Sequence, residues 1–554
     1  MTGTSIKFAT GKILLFISFT ALYGGCSPNQ DAETGPQRPN ILLIVADDFG
    51  YTDLSAFGGD IDTPNLDELI ENGLTFTGFH TAPFCAVTRA MLLSGNDNHI
   101  AGMGSQDLRT GIFGYEGHLT DRIIPVPQLL REAGYSTGMA GKWHLGKRPA
   151  DDPSRKGFDF SFILQDGGGN HYSDRGIFPT VPVSIYTEHG DSAGWPEGAY
   201  STDLYTDKLI EYIGEAAERD QPFFSFAAYT TPHWPLQVDP EFWKKYEGRY
   251  DDGYEALRLK RFNRMKELGF LPEEERLPGM HPRVTPWDSL TADQKRVESR
   301  KMELYAGMVD NMDHNIGRLI THLKETGEYE NTLILFLSDN GAAAEDFYHH
   351  PYFGPFLQQH YTEEYELMGT EESFISYGPQ WAEAGASPFK YFKGYTTQGG
   401  INTPLVIAGP GVRQKGEVVH AFTTLMDLAP TFYEYAGVDY PESFNGREVY
   451  PLRGTSLVPL LAGESETVHP DGYVFPLEHR GFVQIRKGDW KLMNIERPFD
   501  EANFELYNLS ADRGEQTDVK DLYPEVYLDL LNEWHAYRDE VKVRIPAPQP
   551  GEGL

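Results

Sequence analysis

The chain has 554 residues, too many for one small core, and its 40% hydrophobic and 13% aromatic content suffices for a packed interior. Its 82 acidic residues against 47 basic ones give a net charge of −35, which argues against nucleic-acid binding through a broad basic face. An anionic substrate would therefore have to be held by a local cluster of cations and metal.

The first segment predicts export. An apolar run at 13–22 follows two lysines and is too short to span a membrane, as in a secretory signal. Gly-Gly before Cys26 is typical of a bacterial lipoprotein signal, in which this cysteine is lipidated and tethers the protein to a membrane. Because Tyr23 stands where that pattern has Leu, ordinary signal cleavage is the alternative. We expect a signal over 1–25, a polar linker over 26–39, and a periplasmic or outer-membrane-anchored protein.

Two apolar runs end in oxygen-bearing side chains. Residues 40–46 predict a strand buried on both faces, and Asp47-Asp48 follows directly. Residues 333–337 repeat the arrangement and lead to Asp339-Asn340. Open α/β sheets place ligands at the carboxyl ends of their strands, and paired carboxylates are typical ligands of a hard cation such as calcium. A helix cap or a turn is the structural alternative.

A third motif contains Cys85 and Arg89. It predicts a loop that leads into a short helix, which ends before Ser94-Gly95. A helix N-terminus suits a bound oxyanion, and Arg89 adds a cation that can fork onto the same group. Alternatively, Cys85 is a small buried hydrophobic residue, as free cysteines often are. The contexts of Cys26 and Cys85 differ, which argues against a disulfide between them.

Two further strands deliver basic side chains. Residues 135–140 predict a strand that leads to Lys142 and His144, which would share one side of an extended segment. Residues 222–229 predict another strand, and His233 follows between two prolines. An exposed lysine and a hydrogen-bonded histidine, or a structural turn, are the ordinary alternatives.

The remaining pattern predicts an α/β domain with a smaller appendix. Helices are expected from Pro64, over 124–133, over 302–323 closed by Gly327, over 425–436, and over 524–538. Residues 236–295 are charged and are expected to be surface excursions, and 342–388 form a long aromatic-rich insertion that suits a lid or specificity element. Short alternating strands after about residue 450 predict a C-terminal α+β subdomain at 451–554, behind a catalytic α/β domain at 40–450.

Together, these clusters resemble the type I sulfatases, in the family's own order, from residue 40 to about 508. The similarity is greatest to bacterial arylsulfatases of the Pseudomonas type. The segments that carry it are Asp47-Asp48, Cys85 to Arg89, Lys142-Trp143-His144, His233, Asp339-Asn340, Lys393 and Thr396 to Gly400. The resemblance implies an alkaline-phosphatase-like fold with a large, mostly parallel central sheet flanked by helices, and an antiparallel sheet in the C-terminal subdomain.

The resemblance also implies two prosthetic features. Cys85 would be oxidised by a formylglycine-generating maturation enzyme, and the formylglycine would act as its hydrate. One calcium ion would be bound by Asp47, Asp48, Asp339, Asn340 and residue 85. In the family motif a proline stands two residues after the cysteine, whereas this chain has Val87 there and keeps Thr88 and Arg89.

The implied reaction is hydrolysis of sulfate monoesters of phenols or sugars. The hydrate oxygen attacks sulfur, and Arg89, Lys142 and Lys393 neutralise the sulfate oxygens. His233, with Lys393, protonates the leaving oxygen; Asp339 takes the proton of the nucleophile; and His144 is the base that expels sulfate. Two alternative functions are open: a phosphate or phosphonate ester hydrolase of the same superfamily, and a non-catalytic lipoprotein that captures sulfated glycans with an unmodified Cys85.

Overall fold

The computed structural model describes residues 38–106 and 109–545. The predicted signal, Cys26 and all but the last two residues of the predicted linker lie outside the described residues. From Arg38 onward the described residues form one compact unit. None of the helices in this part of the chain is long and apolar enough to span a membrane.

The described strands are, in chain order, β1 (Asn40–Ala46), β2 (Gly73–Phe76), β3 (Phe79–His80), β4 (Ser136–Lys142), β5 (Phe160–Leu164), β6 (Arg175–Phe178), β7 (Val181–Val183), β8 (Tyr186–Glu188), β9 (Asp191–Ala193), β10 (Phe223–Ala228), β11 (Thr332–Ser338), β12 (Leu405–Ala408), β13 (Glu417–Val419), β14 (Thr423–Thr424), β15 (Ser443–Phe444), β16 (Arg447–Glu448), β17 (Val474–His479), β18 (Phe482–Lys487), β19 (Trp490–Asn494) and β20 (Glu505–Asn508).

The described α-helices are α1 (Pro64–Asn72), α2 (Cys85–Leu92), α3 (Asn98–Ala101), α4 (Val126–Glu132), α5 (Ser201–Glu218), α6 (Pro240–Trp243), α7 (Tyr254–Glu267), α8 (Ala292–Thr326), α9 (Gly354–His360), α10 (Gly378–Gly385), α11 (Gln398–Ile401), α12 (Leu428–Ala436), α13 (Val458–Leu461) and α14 (Pro524–Val541).

The centre of the molecule is a ten-stranded sheet in the order β13-β2-β12-β11-β1-β10-β4-β5-β8-β9. Its middle strands, from β11 to β5, are parallel, and the flanking pairs β11–β12, β12–β2, β5–β8 and β8–β9 are antiparallel. A second sheet, β17-β18-β19-β20, is antiparallel throughout. The predicted α/β architecture with a C-terminal antiparallel sheet is therefore confirmed.

Two apolar layers cover the two faces of the central sheet. Leu42 and Ile44 point into one layer, whereas Ile41, Leu43 and Val45 point into the other. This alternation explains why β1 is apolar at every position, since both of its faces are buried. The second layer also contains side chains of the C-terminal sheet, such as Phe475 and Leu506. This sheet therefore shares a hydrophobic core with one face of the central sheet. The domain boundary at residue 450 stays a prediction.

Most of the predicted helices are found with shifted ends. The helix predicted over 302–323 starts ten residues earlier, because Thr291 and Gln294 form a capping box, and Gly327 ends it in the left-handed conformation. The insertion at 342–388 is not a continuous loop: it contains α9 and α10, and Trp381 on α10 is fully buried.

The prediction that 236–295 form surface excursions is wrong. This segment contains α6 and α7 and contributes aromatic side chains such as Tyr246 and Tyr254 to the core. Arg261 on α7 is also buried, where its guanidinium pairs with Asp53 at 2.6 Å and with Asp60 at 2.8 Å. A charged residue is usually predicted to be exposed, but a carboxylate from a distant part of the sequence can pair with it inside the fold.

Candidate active site

Four strand ends place the polar side chains at one edge of the sheet. Ala46 and Ser338 are register partners, so Asp47-Asp48 and Asp339-Asn340 leave neighbouring parallel strands side by side. Strand β10 lies on the other side of β1 and leads to His233, and β4 beyond it ends at Lys142. These side chains therefore lie together at the edge where open α/β sheets usually bind their ligands, as the sequence predicts.

Cys85 is the first residue of α2 and is buried against the carboxylates. Its thiol donates to Asp47 Oδ1 at 3.5 Å and lies 3.9 Å from Asp48 Oδ1. Burial raises the pKa of the thiol well above its usual value, and the carboxylates of Asp339 and Asp47 add to this effect although Lys142 and Lys393 oppose it. An unmodified Cys85 would therefore stay protonated near neutral pH and would be a poor nucleophile, because the reactive form is the thiolate.

The acidic residues form a donor set of the kind that binds a hard cation. Asp47, Asp48, Cys85 and Asp339 each offer one ligand atom, and these atoms lie within 4.8 Å of one another. Burial and the neighbouring Asp47 raise the pKa of Asp339 to about 6, although Arg89 and Lys142 oppose the rise. The Oδ1 atom of Asn340 is buried and has no hydrogen-bond partner among the described residues. Crowded carboxylates and an unpaired amide oxygen suit calcium, which prefers such oxygen ligands.

Three buried cations pair with these carboxylates. Lys142 Nζ donates to both oxygens of Asp47, at 2.9 and 2.7 Å. Lys393 Nζ reaches the two oxygens of Asp48 at 2.7 and 2.9 Å. Arg89 donates twice to Asp339 Oδ2, at 3.2 and 3.0 Å, and once to the carbonyl oxygen of Lys142 at 2.9 Å. For Asp48, burial raises the pKa, but Lys393, His233 and Lys142 outweigh it and lower the pKa to about 2.

The two histidines occupy different positions at the edge of this cluster. His233 Nε2 lies 3.6 Å from Asp48 Oδ2, while its Nδ1 atom is 2.7 Å from the carbonyl oxygen of Trp234, a geometry that fits a proton on Nδ1. Burial lowers the pKa of His233 to about 3, and Lys142 and Lys393 contribute to this although Asp48 opposes it.

His144 departs from the sequence-based expectation. Strand β4 ends at Lys142, and His144 has a φ of 60°, so the two residues do not share one side of an extended segment. Its ring nevertheless experiences the positive charges of the site. Burial lowers the pKa of His144 well below the usual value, and the charges of Lys142 and Arg89 add to this effect. Its buried Nδ1 atom has no hydrogen-bond partner among the described residues.

Two residues beside the site carried no recognisable signal in the sequence. Glu345 Oε1 lies 3.8 Å from Lys393 Nζ, and its Oε2 atom is buried with no partner in the described part of the chain. Trp234 packs its ring against His233, with 4.0 Å between ring centroids. Glu345 is one of several acidic residues in the insertion, and its sequence neighbourhood does not distinguish it from the exposed ones.

The family comparison agrees with this geometry. The family described as Sulfatase matches residues 39–438, and the one described as N-sulphoglucosamine sulphohydrolase, C-terminal, matches residues 389–539. The first of these covers the strand ends and α2, and the second covers the C-terminal sheet.

The similarity to known proteins covers most of the chain. An uncharacterised sulfatase of Schizosaccharomyces pombe is 39% identical over 541 residues, which is 94% of this chain and 96% of that protein. An arylsulfatase of Klebsiella aerogenes is 40% identical over 428 residues, 76% of this chain and 91% of that protein. The crystal structure of Ps i-CgsB superposes with a TM-score of 0.64 at 25% identity and covers 90% of this chain and 93% of its own.

Proposed function

Because the chain belongs to the sulfatase family and is a sulfuric ester hydrolase with the alkaline-phosphatase-like fold, we propose that its nucleophile is a formylglycine made from Cys85. The position of Cys85 supports this proposal, because its side chain faces two carboxylates and lies among three buried cations. When formed, formylglycine supplies a geminal diol whose second hydroxyl allows the sulfated enzyme to release sulfate, which a serine or cysteine ester could not do. We propose that a maturation enzyme of the family installs it.

Val87 in place of the family's proline is compatible with the local structure. It lies in the first turn of α2, where backbone N–H groups have no partner within the helix, so proline and valine both fit the helix there. Thr88 Oγ1 donates to the carbonyl oxygen of Ala82 at 3.2 Å and accepts from its N–H at 3.1 Å, which fixes the turn before Cys85. The shape of the mature site therefore does not require proline at 87.

We further propose that Asp47, Asp48, Asp339, Asn340 and residue 85 hold one calcium ion. The buried carboxylates and the unpaired Asn340 oxygen support this choice, since calcium takes oxygen ligands in flexible geometry. When bound, the ion lowers the pKa of the nucleophile and offsets the charge of the sulfate. Asp339, whose pKa is already raised by burial, is the carboxylate best suited to accept a proton from the nucleophile.

The remaining side chains are assigned by charge and position. Arg89, Lys142 and Lys393 provide a fixed positive surface for the sulfate oxygens. His233 and Lys393 lie on the side of Asp48 and are assigned to protonate the leaving oxygen, while His144 is assigned as the base that releases sulfate. The low pKa values of His233 and His144 in the free site fit this scheme, because the negative charge of a bound sulfate ester would counter the neighbouring cations and raise both pKa values.

The proposed substrates are aryl sulfates or sulfated carbohydrates. Turnover of 4-nitrophenyl sulfate and 4-nitrophenyl phosphate should be compared in protein made with a maturation enzyme. We expect a clear preference for the sulfate ester, and Cys85→Ala should abolish turnover. A preference for the phosphate would favour the phosphoryl-transfer alternative. Tight binding of sulfated glycans without turnover would favour the non-catalytic alternative.

For the location we propose export with a lipid anchor on Cys26, on the strength of the N-terminal segment alone. Metabolic labelling with a radioactive fatty acid tests this directly. We expect label in the wild-type protein and none in Cys26→Ala. An unlabelled wild-type protein whose mature N-terminus follows an ordinary cleavage site would contradict the anchor while leaving export intact.

A further inference from the structure

An aromatic wall begins at the proposed acid and leads outward. The ring of Trp234 packs on His233 and meets Phe347 edge-on, with 4.6 Å between centroids. Phe347 in turn contacts Phe353 at 4.5 Å. His233 and Trp234 are buried, Phe347 is half-buried, and Tyr352 beside Phe353 is 59% exposed. The exposed fraction of these side chains therefore rises from His233 to the surface.

Glu345 stands at the inner end of this wall. It precedes Phe347 by two residues, and its carboxylate lies 3.8 Å from the ammonium group of Lys393, which is also paired with Asp48. Its side chain is 15% exposed, and its buried Oε2 atom accepts no hydrogen bond within the described residues. A buried carboxylate oxygen without a donor costs free energy, so a ligand that brings an O–H or N–H group to it gains affinity.

We infer that Glu345, Trp234 and Phe347 form the subsite for the alcohol or phenol half of the substrate, and that Glu345 determines which leaving groups are accepted. The wall stacks on a flat or saccharide ring, and Glu345 accepts a hydrogen bond from a hydroxyl or amino group next to the sulfate ester. A carboxylate at that position would meet a like charge and is rejected. This inference rests on the proposed function and names its substrate class: hydroxylated or aminated rings, not uronate-type or carboxylated ones.

Glu345 is a specificity-determining residue in this proposal, not a catalytic one. Its carboxylate contacts Lys393 at 3.8 Å and is not among the side chains assigned to hold calcium or to transfer a proton. A purely structural role would affect all substrates equally through the position of Lys393. A specificity role changes the ranking of substrates, and that ranking is the quantity to measure.

The test uses three phenyl sulfates that differ only at the meta position: hydroxymethyl, aminomethyl and carboxylate. Values of kcat/KM are measured for the full-length mature enzyme and for Glu345→Gln, and the ratio between two substrates in the variant is divided by the same ratio in the wild type. This removes the intrinsic reactivity of each phenol. Asp346→Asn is the matched control, because this substitution removes the same charge one position further along the chain. Asp346 is exposed and pairs with His349, not with Lys393.

We expect the wild type to disfavour the carboxylated ester, and Glu345→Gln to shift the aminomethyl-to-carboxylate ratio on the order of tenfold toward the carboxylate. Phe347→Ala should lower kcat/KM for all three esters alike, and Asp346→Asn should leave the ratio unchanged. An unchanged ratio in Glu345→Gln, or an equal shift in Asp346→Asn, overturns the inference. If the wild type hydrolyses none of the three sulfates, the proposed function itself fails, which is a separate result.

Discussion

At the scale of single residues, the site is a balance of buried charges. Each of three carboxylates is paired with its own cation: Asp47 with Lys142, Asp48 with Lys393, and Asp339 with Arg89. Removing one member of such a buried pair leaves an uncompensated charge, which is costly in a low-dielectric interior. The same residues therefore contribute to both the folding and the chemistry of the site.

Asp339→Asn should lower kcat/KM by about 100-fold or more, because it removes a charged side chain of the proposed calcium site and the anionic partner of Arg89. Calcium affinity, measured by titration calorimetry on the full-length protein, should fall as well. Near-UV circular dichroism checks that the variant is folded. Lys487→Ala is the control, since this lysine pairs with Asp529 and Glu533 far from the site and should change turnover little. Survival of both calcium binding and turnover in Asp339→Asn would refute the site assignment.

Local sequence patterns explain why the meeting of the strand ends could be predicted and the position of Glu345 could not. Acidic pairs directly after apolar runs identify strand ends, and strand ends of a parallel sheet meet at one edge, so Asp47-Asp48 and Asp339-Asn340 follow from local pattern alone. Glu345 has no such pattern. Its position depends on how the insertion folds back over the sheet, which local periodicity does not encode.

At the scale of elements, the central strands were predictable because a strand buried on both faces is apolar throughout. The burial of helix α7 was not predictable, because its sequence contains many charged residues, which are usually exposed. It is held in place by Arg261, which reaches two carboxylates more than 200 positions earlier in the chain. Long-range ion pairs of this kind leave no trace in the local sequence.

Arg261→Met tests this interpretation of α7. Loss of the guanidinium leaves Asp53 and Asp60 buried without their cation, and we expect the free energy of unfolding to fall by about 3–5 kcal/mol. Urea denaturation followed by tryptophan fluorescence gives the value. Lys260→Met is the matched control, because Lys260 is the exposed neighbour on the same helix and should change stability by less than about 0.5 kcal/mol. Equal stability of the two variants would contradict a buried role for Arg261.

At the scale of the whole molecule, the C-terminal sheet is joined to the catalytic part by charge as well as by the shared core. His99 on α3 lies 3.3 Å from Asp97 and 3.1 Å from Glu478 on β17, and Tyr537 on α14 donates to Asp97 at 2.9 Å. Burial lowers the pKa of His99, but the two carboxylates outweigh it and raise the pKa to about 9. Three distant parts of the chain therefore depend on one protonated imidazole.

This cluster predicts a pH dependence of stability. Because the folded-state pKa of His99 is raised, its stabilising contribution is complete below the unfolded value of about 6.5 and is lost as pH rises through about 9. The wild type should lose up to about 3 kcal/mol of unfolding free energy between these two pH values. His99→Gln should be less stable overall but should lack this slope. The same slope in both proteins, measured by urea denaturation at each pH, would show that another group titrates.

Residue 85 becomes the nucleophile by oxidation in the proposed function, and mass spectrometry of the peptide that contains it tests this most directly. The protein should be purified from a host with the maturation machinery, and its turnover of an aryl sulfate should be measured on the same sample. We predict a peptide that carries the aldehyde or its hydrate in place of the thiol, in proportion to activity. A fully active sample whose residue 85 is an intact thiol throughout would contradict a formylglycine nucleophile.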